Sequence, residues 1–291
     1  MLTTDAMVEG VHFDRRFSSF FDVGYKSLAV NVSDVAAMGG TARLALLSLM
    51  LPDRTTEGDV DALVDGLSAL GSALRITIAG GNITRSPGPF VVDVTLTGSV
   101  RPRRVLTRGG ARAGDGLYVT GAVGAAAAGL GWLRDFAASP ESAPEDAGLA
   151  ECVARYRRPE PRSRIGGLLG RTRTATACMD LSDGLGDAVR QLSAMSGVGA
   201  RIDAEAVPVP PAAAAWFTAK ALDPVRAAVA GGDDYELLFA VPARRTRALK
   251  AVVAQSRGLT VTRIGQLVDE QNVVLFRQGN AEPIPEGFVH F

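Results

Sequence analysis

Hydrophobic positions along this 291-residue chain follow two periods, and each predicts a different element. In residues 56–74, TEGDVDALVDGLSALGSAL, the residues Val60, Leu63, Val64, Leu67, Leu70 and Leu74 fall three or four apart. That spacing predicts a helix with one apolar face, and the Asp and Glu residues near its start complement the helix dipole. Period-two alternation follows in 90–100, where Val92, Val94 and Leu96 share one face of a predicted strand. The short apolar runs LALLSLML (44–51) and RITIAGG (75–81) predict two more strands flanking the helix. The opening MLTTDAMVEGVHF is also strand-like, yet it carries Asp5 and His12.

The pattern breaks at 101–116, RPRRVLTRGGARAGDG, where basic residues, Gly and Pro replace the periodic apolar positions. We place a domain boundary here, giving domains 1–105 and 106–291. The second part predicts a strand at 117–121, a helix near 122–134, helices within 146–170, a strand at 174–180, a helix from 184, a strand at 236–241, a helix over 243–256, and strands near 260–268 and 272–276. The Ala/Pro/Glu-rich stretch 137–148 predicts an exposed loop. The fold class read from this mixture is α/β with mixed sheets.

Composition narrows the function. Lys plus Arg and Asp plus Glu both number 31, so no global field gathers nucleic acid or an anionic membrane, and small-molecule chemistry is the default. Hydrophobic residues at 47% supply material for buried cores. The apolar runs are too short to span a bilayer. Cys152 and Cys178 have no metal-type spacing and read as buried thiols in a reducing, cytoplasmic setting.

Acidic residues recur where a predicted strand meets a turn or helix: Asp5, Asp34, Asp180 and Asp183, and the pair Asp233 and Asp234. Asp is also a common helix cap and turn residue, so any one of these has a plain structural reading. As a set, with Thr and Ser neighbours, they suit hard divalent cations that bridge carboxylates to phosphate oxygens. Gly80 and Gly81, with Arg85, form one candidate anion clamp, and Arg108 beside Gly109 and Gly110 a second; Gly-Gly turns and basic linkers are the bland alternatives. VTGAVGAAAAG does not fit a dinucleotide turn, so its glycines read as close helix packing. No Ser/His/Asp or Cys arrangement argues for covalent catalysis.

Taken in order, TTDAMVEGVHF, GYKSLAVNVSDVAAMGG, GGNITR, LTRGGARAGD, MDLSDGL and GGDDYEL resemble the thiamine-monophosphate kinases, which share a two-domain fold with aminoimidazole ribonucleotide synthetase. The resemblance runs from residue 3 almost to the end. It implies ATP-dependent phosphorylation of thiamine monophosphate with several Mg²⁺ ions, in a homodimer that pairs its N-terminal sheets. The positions it implies for metal are Thr3, Thr4, Asp5, Asp34, Asn82, Asp180 and Asp183, with Asp5, Asp34 and Asp180 indispensable. For ATP it implies Gly81, Asn82, Arg108 and Ser182, and for the substrate His12, Asp233 and Phe288. An aromatic such as Phe288 suits stacking on a cationic thiazolium.

Two departures from the family pattern stand out. A segment with a GDDA-type motif normally precedes the Thr-Thr-Asp stretch, and nothing precedes Met1 here, which suggests a late start or a lost segment. Asn82 stands where the family has Asp, which is expected to weaken metal binding there. Both feed two alternatives: a degenerate member that binds nucleotide or thiamine phosphates without turnover, or another ATP-dependent activity of the same superfamily.

Overall fold

The computed structural model describes residues 1–287, so Phe288 lies outside the described residues. The first sheet has four strands, β1 (Leu2–Val8), β2 (Thr41–Leu51), β3 (Thr77–Arg85) and β4 (Val91–Ser99), in the order β1-β4-β2-β3. Strand β4 runs antiparallel to both neighbours, and β2 and β3 are parallel, joined through a crossover helix. That helix, α2 (Glu57–Leu74), is the one predicted from periodicity, and Thr56 and Asp59 form its capping box. Its buried stripe of Leu63, Leu67 and Leu70 meets Val92, Val94 and Leu96 in one core. Each such side chain contributes about 1.5–3 kcal/mol.

The helix α1 (Phe20–Ala37) escaped the periodicity reading, for a physical reason. Among its residues only Phe21, Tyr25 and Asp34 are not buried, so it shows no polar face. It lies between the two domains, touching β4 on one side and α5 (Ser163–Thr172) and β6 (Ala177–Asp180) on the other. Its start is set by a capping box in which the Asp22 backbone N–H donates to Ser19 Oγ at 3.1 Å.

The second sheet adds β5 (Gly116–Thr120), β7 (Gly199–Asp203), β8 (Leu237–Val241), β9 (Val261–Val268), β10 (Val273–Arg277) and β11 (Asn280–Pro283), in the order β11-β10-β7-β9-β5-β8-β6. All pairs are antiparallel except β7 with β10. Strand β8 alternates faces. Leu238 and Ala240 enter a core with α3 (Ala125–Phe136) and α6 (Leu185–Ser196), while Leu237, Phe239 and Val241 enter another with α5 and α9 (Thr246–Ala254). The remaining helices are α4 (Ala147–Arg157), α7 (Pro211–Ala219) and α8 (Pro224–Ala230). Residues 137–146 hold no regular element, in line with the loop expected there. Close packing explains Gly129, since a Cβ there would meet the Cys152 carbonyl oxygen at 2.3 Å.

Candidate active site

A recess of about 740 Å³ opens between the two sheets, and α1 forms its floor. Lys26, Val30 and Asp34 all line it, at intervals of four residues along one face of the helix. Two turns separate the lysine from the aspartate, about 12 Å along the axis. The helix therefore gives the recess an acidic end and a cationic, aromatic end.

At the acidic end, Asp5 comes from the edge strand β1 and shares its helix-side face with Thr3, because Thr3 pairs with Leu96 and Asp5 with Val94. Thr3 Oγ1 donates to Asp34 Oδ2 at 2.5 Å. Asp180 ends β6 and accepts from Ser33 Oγ at 2.7 Å, so neighbouring residues of α1 engage both domains. Ser182, Asp183 and Arg108 complete this end. Burial first, and then the Asp34, Asp93 and Asp183 charges, push the Asp5 carboxyl up to about 6. Burial and the charges of Asp34 and Asp5 push Asp180 up to about 7. Burial also raises Asp34, against the lowering effects of the Thr3 hydrogen bond and the Arg108 charge.

At the other end, Lys26 Nζ lies 3.2 Å from Asp233 Oδ1 and 4.0 Å from the centroid of the Tyr156 ring. The ammonium is buried without a well-directed hydrogen bond, so this contact is an ion pair plus a cation–π contact. Phe17, Leu130 and Gly131 add apolar surface, and His12 reaches the recess from the turn after β1. The Val8 backbone N–H donates to His12 Nδ1 at 3.1 Å, which places the ring proton on Nε2.

The GGDDYE segment is built by alternation. Asp233 and Tyr235 line the recess with φ of 68° and 48°, a left-handed conformation that costs non-glycine residues energy. Asp234 and Glu236 hold them there from beneath. Asp234 accepts from the backbone N–H groups of Gly124 at 2.6 Å and Ala126 at 3.0 Å, at the start of α3. Glu236 accepts from Thr120 Oγ1 at 2.5 Å and from two nitrogens of Arg162 at 2.6 and 2.5 Å. Burial pushes the Asp234 carboxyl up to about 7, and the two backbone donors oppose it.

Of the positions named from sequence, Asp5, His12, Asp34, Arg108, Asp180, Ser182, Asp183 and Asp233 line this one recess, and Thr3 braces it. Three described positions stand elsewhere. The Thr4 hydroxyl sits on the outer sheet face and donates to Asp93 Oδ1 at 3.0 Å. Gly81 and Asn82 lie on β3, three strand spacings from β1, or about 14 Å. Asn82 aligns with Ser48 and Asp93 on that same outer face. Packing alone accounts for Gly81, because a Cβ would overlap the Leu47 carbonyl oxygen at 1.8 Å. Arg85 pairs with exposed Asp53 at 3.0 Å and is no clamp for this recess.

Sequence reading missed Lys26, Tyr156 and Arg134, all of which line the recess. For Lys26 a signal existed: a lone lysine two helical turns before Asp34 in the apolar stretch YKSLAVNVSD.

The acidic end fits divalent metal in a particular way. Among the described residues, no three carboxylate, His or Cys side chains converge on a ready-made metal point. Yet the Asp34 charge raises the proton affinity of both Asp5 and Asp180, and Asp5 raises that of Asp180, which is the repulsion a cation relieves. Mg²⁺ usually takes one or two carboxylates and completes its shell with phosphate oxygens and water. The donors present suit that sharing better than an all-protein cage.

Residues 1–100 match the AIR synthase related protein, N-terminal domain, and residues 112–278 match its C-terminal domain. Thiamine-monophosphate kinase from Bacillus subtilis is 32% identical over 100% of this chain and 88% of its own length. The enzyme of that name from Salmonella typhimurium is 36% identical, covering 100% and 86%. Among solved structures, AaThiL complexed with AMPPCP and TMP superposes with a TM-score of 0.86 at 32% identity, over 100% of this chain and 86% of that one. With this fold, the recess between its domains and full-length identity above thirty per cent, the chain belongs to the thiamine-monophosphate kinase family.

Proposed function

We propose that the protein transfers the γ-phosphoryl group of ATP to the phosphate of thiamine monophosphate, releasing ADP and thiamine diphosphate. The observation that carries this reading is the polarity of the recess along α1, with carboxylates around Asp34 and the Lys26–Asp233–Tyr156 group about 12 Å away. With a cation held by the carboxylates that end would accept a phosphate, and Asp233 and the Tyr156 ring at the other end suit an aromatic cation. A solved relative complexed with AMPPCP and TMP supports the choice of ligands.

In this reading Asp5, Asp34, Asp180 and Asp183 hold Mg²⁺, braced by Thr3 and Ser33. A cation held there would supply positive charge against the phosphate oxygens of donor and acceptor. Arg108 contacts ATP, with Ser182 beside it. His12 donates from Nε2 toward the acceptor phosphate, and Asp233 offers a carboxylate to the cationic ring. An acceptor phosphate oxygen bonds to the γ-phosphorus as the bridge to the β-phosphate breaks, so no enzyme nucleophile is required. The side chains supply position and charge.

The same proposal covers assembly and location. Two copies pair the outer faces of their four-stranded sheets, which places Thr4 and Asn82 in the contact between copies. Leu44 and Leu46, exposed on that face, support the pairing. The protein works in the cytoplasm, where ATP is available and buried free thiols such as Cys152 and Cys178 persist. Among the described residues, no helix is long and apolar enough to cross a membrane.

The deciding experiment incubates the purified protein with ATP, Mg²⁺ and thiamine monophosphate and separates the products. Thiamine diphosphate and ADP are expected in equal amounts. Binding of both substrates without either product would overturn the proposal in favour of a binding-only protein.

A further inference from the structure

A second recess, of about 570 Å³, shares no lining residue with the first. It lies at the junction of the domains, and four arginines line it. Arg101 and Arg104 come from the connection after β4, where Pro102–Arg104 forms a short 3-10 turn. Arg164 and Arg171 come from α5, seven residues apart and so on one face of that helix. Thr41 and Ser99, which face each other across the start of β2 and the end of β4, add hydroxyl groups.

Charge here is unbalanced, although the chain as a whole is neutral. Among the described residues, no carboxylate lies within ion-pair distance of Arg101, Arg104, Arg164 or Arg171. The segments that build the recess and its rim, 97–108, 161–173 and 242–258, contain no Asp or Glu. Arg164 Nε donates to the Gln255 carbonyl at 2.7 Å, which fixes the side chain and leaves its terminal nitrogens turned to other partners. A merely solvated basic surface would be convex and interspersed with acids. This one is concave, with cations converging from both domains.

We infer that this recess binds a compact, multiply charged phosphate compound, of the diphosphate or nucleoside-phosphate class, at the junction of the two domains. Guanidinium forks match phosphate oxygens in pairs, and hydroxyls such as Thr41 and Ser99 donate to the remaining oxygens. Four cations without counter-charges call for a ligand with more than one negative charge. The concavity and its volume suit a small molecule better than a polymer.

Titration calorimetry with inorganic pyrophosphate, in EDTA and at low ionic strength, tests this directly. Without divalent metal, the carboxylates of the first recess repel the probe. The wild type is expected to bind pyrophosphate with an affinity that falls as salt is added. The double variant Arg101→Gln/Arg171→Gln is expected to lose at least about tenfold in affinity while keeping wild-type turnover and melting temperature. Arg108→Gln, in the first recess, is expected to leave pyrophosphate binding intact. No binding by the wild type, equal binding by the double variant, or loss only in Arg108→Gln would each overturn the inference. So would a single-stranded RNA that binds through these arginines when pyrophosphate does not.

Discussion

The two sheets handle their faces differently. In the C-terminal sheet β6 and β8 are buried throughout, with one core on each face. In the N-terminal sheet, helices α1 and α2 cover one face only. The other carries Leu2, Leu44 and Leu46 at 71%, 46% and 47% exposure, interleaved with Thr4, Thr95 and Thr97. The C-terminal sheet is a finished three-layer structure, and the N-terminal one is a two-layer structure with an apolar face outward. Of the three positions that fall outside the main recess, Thr4 and Asn82 lie on that outward face, while Gly81 faces the helices.

The largest expected effect separates the two sheets outright. Leu238→Asp buries a charge in a strand with no exposure and is expected to yield no cooperatively folded protein by circular dichroism. Leu44→Asp with Leu46→Asp is expected to stay folded and to run as a monomer by light scattering, where the wild type is expected to run as a dimer. Dimeric behaviour in that variant would reject the outer face as the interface.

Next in size is the support beneath the GGDDYE segment. Glu236→Ala leaves the buried Arg162 guanidinium with only the exposed Glu160 carboxylate and is expected to cost about 3 kcal/mol in urea denaturation. At the acidic end, Asp34→Asn or Asp180→Asn is expected to lower turnover by roughly 10²–10³-fold with the fold unchanged. Normal turnover in either would remove that residue from the mechanism.

A smaller effect concerns pH. Asp5 and Asp180 have folded-state values of about 6 and about 7, above the unfolded carboxylate value of 3.8. The native state therefore binds more protons than the unfolded state between roughly pH 4 and 7, so these groups make metal-free stability fall as pH rises through that window. In the proposed reading Mg²⁺ would compete with those protons, and its stabilisation would grow in the same direction. The gap in Tm with and without Mg²⁺ is expected to widen by several degrees from pH 5.5 to pH 8. A constant gap would mean that these carboxylates do not hold the metal. Smallest of all, Arg85→Ala removes an exposed pair and is expected to change stability by less than about 1 kcal/mol.

Legibility in the sequence followed burial. Helix α2 has one dry face, and its predicted span of 56–74 matches Glu57–Leu74 closely. Strand β4 alternates for the same reason, and its Val92, Val94 and Leu96 are all fully buried. Helix α1 is buried nearly all round, so it left no period to read, although it carries both Asp34 and Lys26. The short elements β7, α7, α8 and β11 also went unpredicted, being too brief for a pattern to rise above its surroundings. At the site, the acidic motifs were visible as Asp among Thr, Ser and Gly neighbours. Of the strand ends expected for them only Asp180 stands at one, since Asp5 lies mid-strand in β1 and Asp34 inside α1. The sorting of these motifs was not visible, and Asp233 and Asp234 read as one unit until backbone geometry sent one into the recess and the other to the start of α3.

By itself the chain determined its local periods, its two-part organisation and the chemical kinds of its site residues, because these depend on neighbours within a few positions. Tertiary structure decided which of them meet. Ser33 reaches Asp180 across 147 positions of sequence, and Asp5 and Asp183 come within electrostatic range only because β1 and the end of β6 flank the same helix. Strand order likewise set Asn82 about 14 Å from Asp5. Sequence spacing carries no information about such distances, because they depend on which strand edges pair and which helix is enclosed between the sheets.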